Sequence, residues 1–193
     1  GFKILELSKL HMYRFWYDIL KENYQDKIRL LMTDTDSFIF EIECQDIFEE
    51  LSKYKNVFDF SNYDKKHKHY SDKNKKVPGK MKREYPGDII VNFVGLRSKC
   101  YSFKFLNSTE EQKVAKGVTR VNKNKSLKYD DYIDVLQSSQ PKSVKETKLQ
   151  SQKMRMKVIE QDKVALSSDD DKRIWTGQDN KPLTENWGET LPY

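Results

Sequence analysis

The sequence predicts an α+β fold: an antiparallel sheet with a helix packed on it, followed by a smaller mixed region. Three observations carry this. Apolar residues recur at helical spacing over the first two dozen positions. Two short apolar runs then flank a compact acidic core. Further β-rich runs follow, and no alternating strand–helix pattern suggests a parallel sheet.

The first element is a helix from about Phe2 to Tyr24. Leu5, Met12, Phe15, Trp16, Ile19 and Leu20 form its apolar stripe, with Lys9, Arg14, Asp18 and Lys21 between them. Ile28–Met32 and Phe38–Ile42 read as two strands forming an antiparallel hairpin, joined at Thr33-Asp34-Thr35-Asp36-Ser37. Asp46–Tyr54 reads as a short helix with Ile47, Phe48 and Leu51 on one side. Between Tyr63 and Arg83 the lysines outnumber the acids and Pro78-Gly79 interrupts the run, which predicts a solvated, partly mobile loop. His67 and His69 within it, flanked by lysines, read as surface residues. Ile89–Val94 and Cys100–Phe105 are strands on either side of Gly95–Lys99. Tyr129–Leu136 is a helix whose Asp130 and Asp131 lie near its N-terminus, where negative charge is favourable. Gln137–Lys145 is a polar connector, Lys153–Ala165 alternates enough for one more strand, and Ser167–Tyr193 is mostly irregular.

The length of 193 residues suits one domain or one and a half, and the net charge of +6 favours a polyanionic partner. Cys44 and Cys100 stand far apart and form neither a zinc-type nor a disulfide framework, which fits a reducing, intracellular compartment. No apolar run is long enough to span a membrane. The chain begins at Gly1 inside a predicted helix, as a piece of a longer protein would.

Asp34-Thr35-Asp36-Ser37 is the strongest chemical signal. Side chains at i and i+2 of a strand share a face, so Asp34 and Asp36 can point the same way. Carboxylates so placed suit hard cations such as magnesium, which takes carboxylate oxygens together with water and substrate phosphates. An Asp-x-Asp triplet is also ordinary turn chemistry, because aspartate bonds nearby backbone N–H groups. A calcium loop would need glycine at its sixth position, where this chain runs into Phe38-Ile39-Phe40. A metal-dependent glycosyltransferase would need a nucleotide-sugar domain of alternating strands and helices before the motif. The run Asp169-Asp170-Asp171 reads as a solvated turn beside Lys172 and Arg173.

Asp34-Thr35-Asp36-Ser37 resembles the third palm motif of family B DNA polymerases, Tyr-x-Asp-Thr-Asp-Ser, with Met32 at the place of the tyrosine. Gly1–Leu10 followed by Met12-Tyr13 resembles the palm helix preceding that motif in the Maverick/Polinton and related protein-primed polymerases of mobile elements and viruses. Phe93–Ser102, with Lys99-Cys100-Tyr101, resembles the segment carrying the group's Lys-x-Tyr motif. Lys116-Gly117-Val118, Ala165-Leu166-Ser167 and Asp170-Asp171-Lys172-Arg173 resemble later segments of the group, in the expected order.

The resemblance implies the C-terminal palm over residues 1–102 and a thumb-like, C-terminal region over 103–193. It implies a DNA-directed DNA polymerase acting in replication, with two-metal nucleotidyl transfer to a primer 3′-hydroxyl. Asp36 would be a direct magnesium ligand and Asp34 its supporting carboxylate. Lys99 and Tyr101 would contact primer–template DNA, with Arg97 adding a phosphate contact and Lys80, Lys82 and Arg83 as weaker contacts to the same duplex. Deoxynucleoside triphosphates and a terminal priming protein are the other implied partners. The family's remaining aspartate and its Lys/Tyr nucleotide helix lie upstream of these motifs, so the 193 residues alone are expected to be inactive. The competing reading is a non-catalytic, basic nucleic-acid-binding protein whose Asp-Thr-Asp is only a turn.

Overall fold

A computed structural model describes residues 1–169, 173–175 and 190–192 of the chain. The fold is α+β, and it divides into two compact units, Gly1–Ile90 and Val91–Tyr193. The division falls after Ile90. The reason is topological: the strand beginning at Ile90 belongs to the same three-stranded sheet as the two strands that follow it.

The first unit begins with the predicted helix. It runs as α1, Phe2–Arg14, then a π-helical stretch, Phe15–Lys21, then a last turn α2, Glu22–Tyr24. Met12, Phe15, Trp16 and Leu20 are buried, whereas Phe2, Ile4, Leu5 and Leu7 in the first turns are exposed. The hairpin follows as β1, Ile28–Asp34, paired antiparallel with β2, Ser37–Ile42. The register pairs Ile28 with Ile42, Leu30 with Phe40 and Thr33 with Phe38, and a bulge lies between Leu30 and Met32. The extra residue keeps Thr33 on the side of Phe38 and Phe40 and leaves Asp34 on the opposite side with Met32.

Aromatic packing fixes the hairpin to the helix. Phe15 stacks on Phe38 at 6.2 Å between centroids, and Trp16 lies 5.8 Å from Phe38 and 6.2 Å from Phe40. Such pairs add about 0.5–1.5 kcal/mol each beyond the area they bury. Phe58, Phe60 and Tyr63 extend this core. Helix α3, Ile47–Ser52, starts where the sequence places it: Asp46 is the N-cap, its Oδ1 accepting the Phe48 N–H at 2.8 Å.

The lysine-rich stretch is folded, contrary to the expectation of a solvated loop. Phe58 and Met81 form an isolated parallel bridge, and Asn74 donates to the carbonyls of Lys55 and Phe58 at 2.8 and 2.9 Å. Gly79, at φ +81°, offers its carbonyl to His11 Nε2 at 2.8 Å, which ties the strap to α1. His67 and His69 are half-buried rather than on the surface, with the His67 ring 4.8 Å from Tyr63 and 5.5 Å from Phe48. The organising group is Asp59, only 5% exposed. It accepts from Ser61 N–H at 2.8 Å and from Lys82 Nζ at 3.3 Å, with Lys76 N–H at 3.4 Å. The pattern that sequence reading missed is this acceptor: lysine counts show charge, not the buried carboxylate that gathers it.

The second unit holds a three-stranded sheet in the order β3, Ile90–Arg97; β4, Cys100–Phe105; and β5, Glu111–Ala115. Helices α4, Arg120–Ser126, and α5, Tyr129–Ser138, follow. The fully buried Tyr132 donates to the Val114 carbonyl at 3.2 Å, and burial pushes its phenol well above the usual range. Asp130 and Asp131 lie in the first turn of α5 as expected, and Asp131 accepts the Lys128 N–H at 2.7 Å. Strands β6, Lys142–Gln152, and β7, Arg155–Leu166, make a long antiparallel ribbon. Of the expected connector Gln137–Lys145, Gln137 and Ser138 are thus still helix and Lys142 to Lys145 already strand. β5, α4 and β6 were not expected at all, because their polar, lysine-rich sequences carry little apolar periodicity. Arg173–Trp175 and Thr190–Pro192 pair as β8 and β9. The expected irregular tail and the residues Asp170, Asp171 and Lys172 otherwise lie outside the described residues.

Asp59 generates a pH prediction. Burial alone would raise its carboxyl, but hydrogen bonds from Ser61, Lys82 and Lys76 outweigh that and hold it below the usual carboxylate range. A depressed folded pKa stabilises above the unfolded value of about 4 and is lost as pH falls through the folded pKa. Asp59→Asn is expected to destabilise the first unit by about 1–3 kcal/mol at pH 7 and to flatten its stability between pH 5 and pH 2. Urea unfolding across that pH range checks both.

Candidate active-site turn

The acidic motif occupies the tip of the β1–β2 hairpin. Asp34 ends β1 and pairs with Ser37, the first residue of β2, leaving Thr35-Asp36 as the loop. Asp36 N–H donates to the Asp34 carbonyl at 2.6 Å, a three-residue turn centred on Thr35 at φ +55°. A β-branched residue in this region is strained, because its side chain crowds the neighbouring peptide groups. Ser37 Oγ donates to the Asp34 carbonyl at 3.2 Å, and Thr35 Oγ1 to Asp34 Oδ1 at 3.4 Å. The hydroxyls of the motif therefore brace the turn that carries the two aspartates.

Asp34 is half-buried and Asp36 is exposed. Strand alternation does not set their relationship, as the sequence suggested; the Thr35 turn does, since it interrupts the period between them. The chemistry of the donor set fits a hard cation: carboxylate oxygens at an exposed turn, flanked by hydroxyl groups. Among the described residues, no group of three or more His, Cys, Asp or Glu side chains is arranged to hold a metal ion. The open side of the sheet carries the exposed Arg29–Glu41 ion pair at 2.7 Å, which caps that face with charge of both signs.

The other sequence-predicted residues divide between the units. Lys80, Lys82 and Arg83 lie in the first, and each has an internal partner. Lys80 Nζ donates to the Asn56 carbonyl at 2.6 Å and Lys82 Nζ pairs with Asp59. Arg83 donates to the Asp88 carbonyl at 2.6 Å and stacks over Phe48 at 4.6 Å. These contacts account for the three cations as ties of the strap.

Lys99, Tyr101 and Arg97 lie in the second unit. Ser98-Lys99 is the loop of the β3–β4 hairpin, with Lys99 exposed at φ +58° and its carbonyl accepting the Lys116 N–H at 3.1 Å. Lys116, of the Lys116-Gly117-Val118 segment, is thus held beside the Lys-x-Tyr motif. Tyr101 is half-buried on β4, with its ring 6.0 Å from Phe93 and parallel to Phe103 at 6.3 Å. Arg97 is half-buried near Cys100, whose thiol is raised by burial and partly lowered by the Arg97 charge.

Among the described residues, no helix is long and apolar enough to cross a membrane. Comparison of the chain with family models, with curated proteins and with solved structures found no match in any of the three.

The strained turn predicts its own stability effect. Thr35→Gly removes about 1–2 kcal/mol of left-handed strain and adds about 0.5–1 kcal/mol of backbone entropy cost. The net expectation is a stabilisation of up to about 1 kcal/mol, read by chemical denaturation of the variant beside the parent chain. A destabilised variant would mean that the Thr35 side chain does more for the turn than its backbone costs.

Proposed function

We propose that this chain is part of a DNA-directed DNA polymerase of the family B type, with Asp34 and Asp36 as its acidic palm residues. The observation that carries the reading is the Asp34-Thr35-Asp36-Ser37 turn. It is strained at Thr35, braced by hydroxyls, and set at the tip of a hairpin whose apolar side is fixed by a packed helix. Backbone strain at a β-branched residue costs free energy and persists where the surrounding structure holds it, as the packed hairpin does at this acidic tip.

In this reading Asp36, exposed in the loop, is the direct ligand, and Asp34, anchored at the strand end, supports it. Magnesium bound there supplies charge neutralisation at the triphosphate and a more acidic primer 3′-hydroxyl. The two carboxylates would hold the ion. A further carboxylate, beyond these two, completes the set the chemistry needs. Lys99, at the tip of its own hairpin, contributes a cation to primer–template DNA, and Tyr101 beside it presents a ring edge and hydroxyl held by aromatic packing. Deoxynucleoside triphosphates are the substrates.

Asp36→Asn in the full-length protein is expected to abolish magnesium-dependent primer extension and leave duplex affinity nearly unchanged, since it removes an anionic ligand and keeps the shape. Single-turnover extension measures the first and a binding titration the second. Incorporation near the parent rate would remove Asp36 from the chemistry. Duplex binding that persists with no metal-dependent extension in the parent protein would favour a basic nucleic-acid-binding protein instead.

Lys99→Ala is expected to weaken binding by a similar factor across unrelated duplexes, because phosphates and shared minor-groove acceptors report a duplex rather than its sequence. A phosphate partner would make the salt dependence of binding shallower by about one unit. A groove partner would leave that slope unchanged and lower extension efficiency. Titrations of several duplexes at two or more salt concentrations separate these, and no change in any of the three readouts would return Lys99 to the solvated surface.

A further inference from the structure

Among the described residues, the β6–β7 ribbon is anchored at its root. Val144, Ala165 and Leu166 belong to the core of the second unit, and the buried Glu146 accepts the Thr119 N–H at 2.6 Å. Asn122 of α4 donates to the Lys145 carbonyl at 3.1 Å, and Lys163 Nζ bonds the Gly117 carbonyl. Beyond Glu146, residues Thr147–Ser151 of β6, Lys153 and Met154 of the turn and Arg155–Val158 of β7 are exposed, so both faces of the distal ribbon meet solvent. At a strand rise of about 3.3 Å per residue, this free part is roughly 20 Å long.

Its two faces differ. The register places Lys148 opposite Ile159, Gln150 opposite Lys157 and Gln152 opposite Arg155, so Lys148, Lys157 and Arg155 share one face. Leu149 opposite Val158 and Ser151 opposite Met156 make the other. Leu149, Met156 and Val158 are 68%, 66% and 66% exposed, and Met154 in the turn is 102% exposed. From Thr147 to Ile159 there is no Asp or Glu, while Lys148, Lys153, Arg155 and Lys157 are cationic.

We infer that the distal β6–β7 ribbon is an arm that lies in the major groove of double-stranded DNA, its cations reaching the flanking phosphates and its apolar face covering base edges. A two-stranded ribbon fits the major groove of B-form DNA, about 12 Å wide, and does not fit the deep, narrow one of A-form RNA. Long Lys and Arg stems can run along the ribbon and place their charges at the groove walls. An acid-free, cationic segment favours a polyanion over a protein surface of mixed charge. Leu149, Met156 and Val158 lose water against thymine methyls and base edges, which discriminates weakly among sequences.

This inference stands apart from the metal chemistry at Asp34 and Asp36, so its test needs neither magnesium nor nucleotide. The 193-residue chain is titrated with a mixed-sequence 20-base-pair DNA duplex, the matching RNA duplex and a single strand, at several salt concentrations. The parent is expected to bind the DNA duplex most tightly. Lys148→Ala/Arg155→Ala/Lys157→Ala should make the salt slope shallower by about three units and weaken binding by about tenfold or more. Leu149→Ser/Met156→Ser, at exposed positions that leave the core intact, should weaken binding by one factor at every salt concentration with the slope unchanged. Circular dichroism confirms that both variants are folded. Equal binding of the RNA duplex or single strand would overturn the groove assignment, as would a triple variant with unchanged slope. A serine variant that binds DNA like the parent but loses self-association would show instead that the apolar face joins two copies of the chain.

Discussion

The packing of Phe15 and Trp16 against Phe38 and Phe40 is the constraint on which the first unit depends. It sets which side of the β1–β2 hairpin is buried, and with it the register. A slip of one residue would carry the aromatic side chains into water and drive Asp34 toward the core, where an unpaired carboxylate is expensive. The bulge between Leu30 and Met32 acts in the same direction, since it lets Leu30 and Thr33 share the side of Phe40 and Phe38 and keeps Asp34 off it. The exposed acidic tip is therefore a consequence of apolar packing some residues away. The strained Thr35 turn is tolerated because both of its strands are held by that packing.

Buried or half-buried acids that gather lysines and backbone N–H groups recur as the second device of the fold. Asp59 organises the strap of the first unit through Ser61, Lys76 and Lys82. In the second unit, Asp131 accepts Lys142 Nζ at 2.5 Å and the Lys128 N–H, while Glu111 accepts the Tyr129 N–H at 2.8 Å. Glu146 seals the root of the ribbon against the start of α4. In a chain this rich in lysine, such acceptors convert charge that would otherwise repel into local order. They also leave the cations of the distal ribbon, which have no acid among them, as the contrasting case.

The two devices separate two kinds of surface. The hairpin tip of the first unit is acidic, compact and braced by hydroxyls, a geometry suited to holding an ion. The second unit presents Lys99 at a hairpin tip, with Lys116 hydrogen-bonded to its backbone, and the cationic ribbon. A nucleotidyl transferase reading gives these surfaces complementary roles, chemistry at the acidic turn and grip at the basic hairpins. Lys80, Lys82 and Arg83, so prominent in the sequence, are instead drawn into internal contacts.

The sequence by itself determined the elements with strong periodicity or clear end signals. The long first helix, the hairpin at Asp34–Ser37, α3 with its Asp46 cap, β4, and α5 with its acidic first turn could all be read from local pattern. Local pattern also placed Asp34 and Asp36, the candidate site residues, at a hairpin tip. Only the tertiary structure decided what long-range partners decide. Glu111–Ala115 became a strand by pairing with β4, and the Lys142–Gln152 segment became half of a ribbon by pairing with β7. The lysine strap folded around Asp59, whose burial depends on residues some twenty positions away. The physical reason is the range of the forces involved. Helix periods and caps act over a few residues and are written locally, whereas strand pairing and the desolvation of a paired charge exist only once distant segments have met.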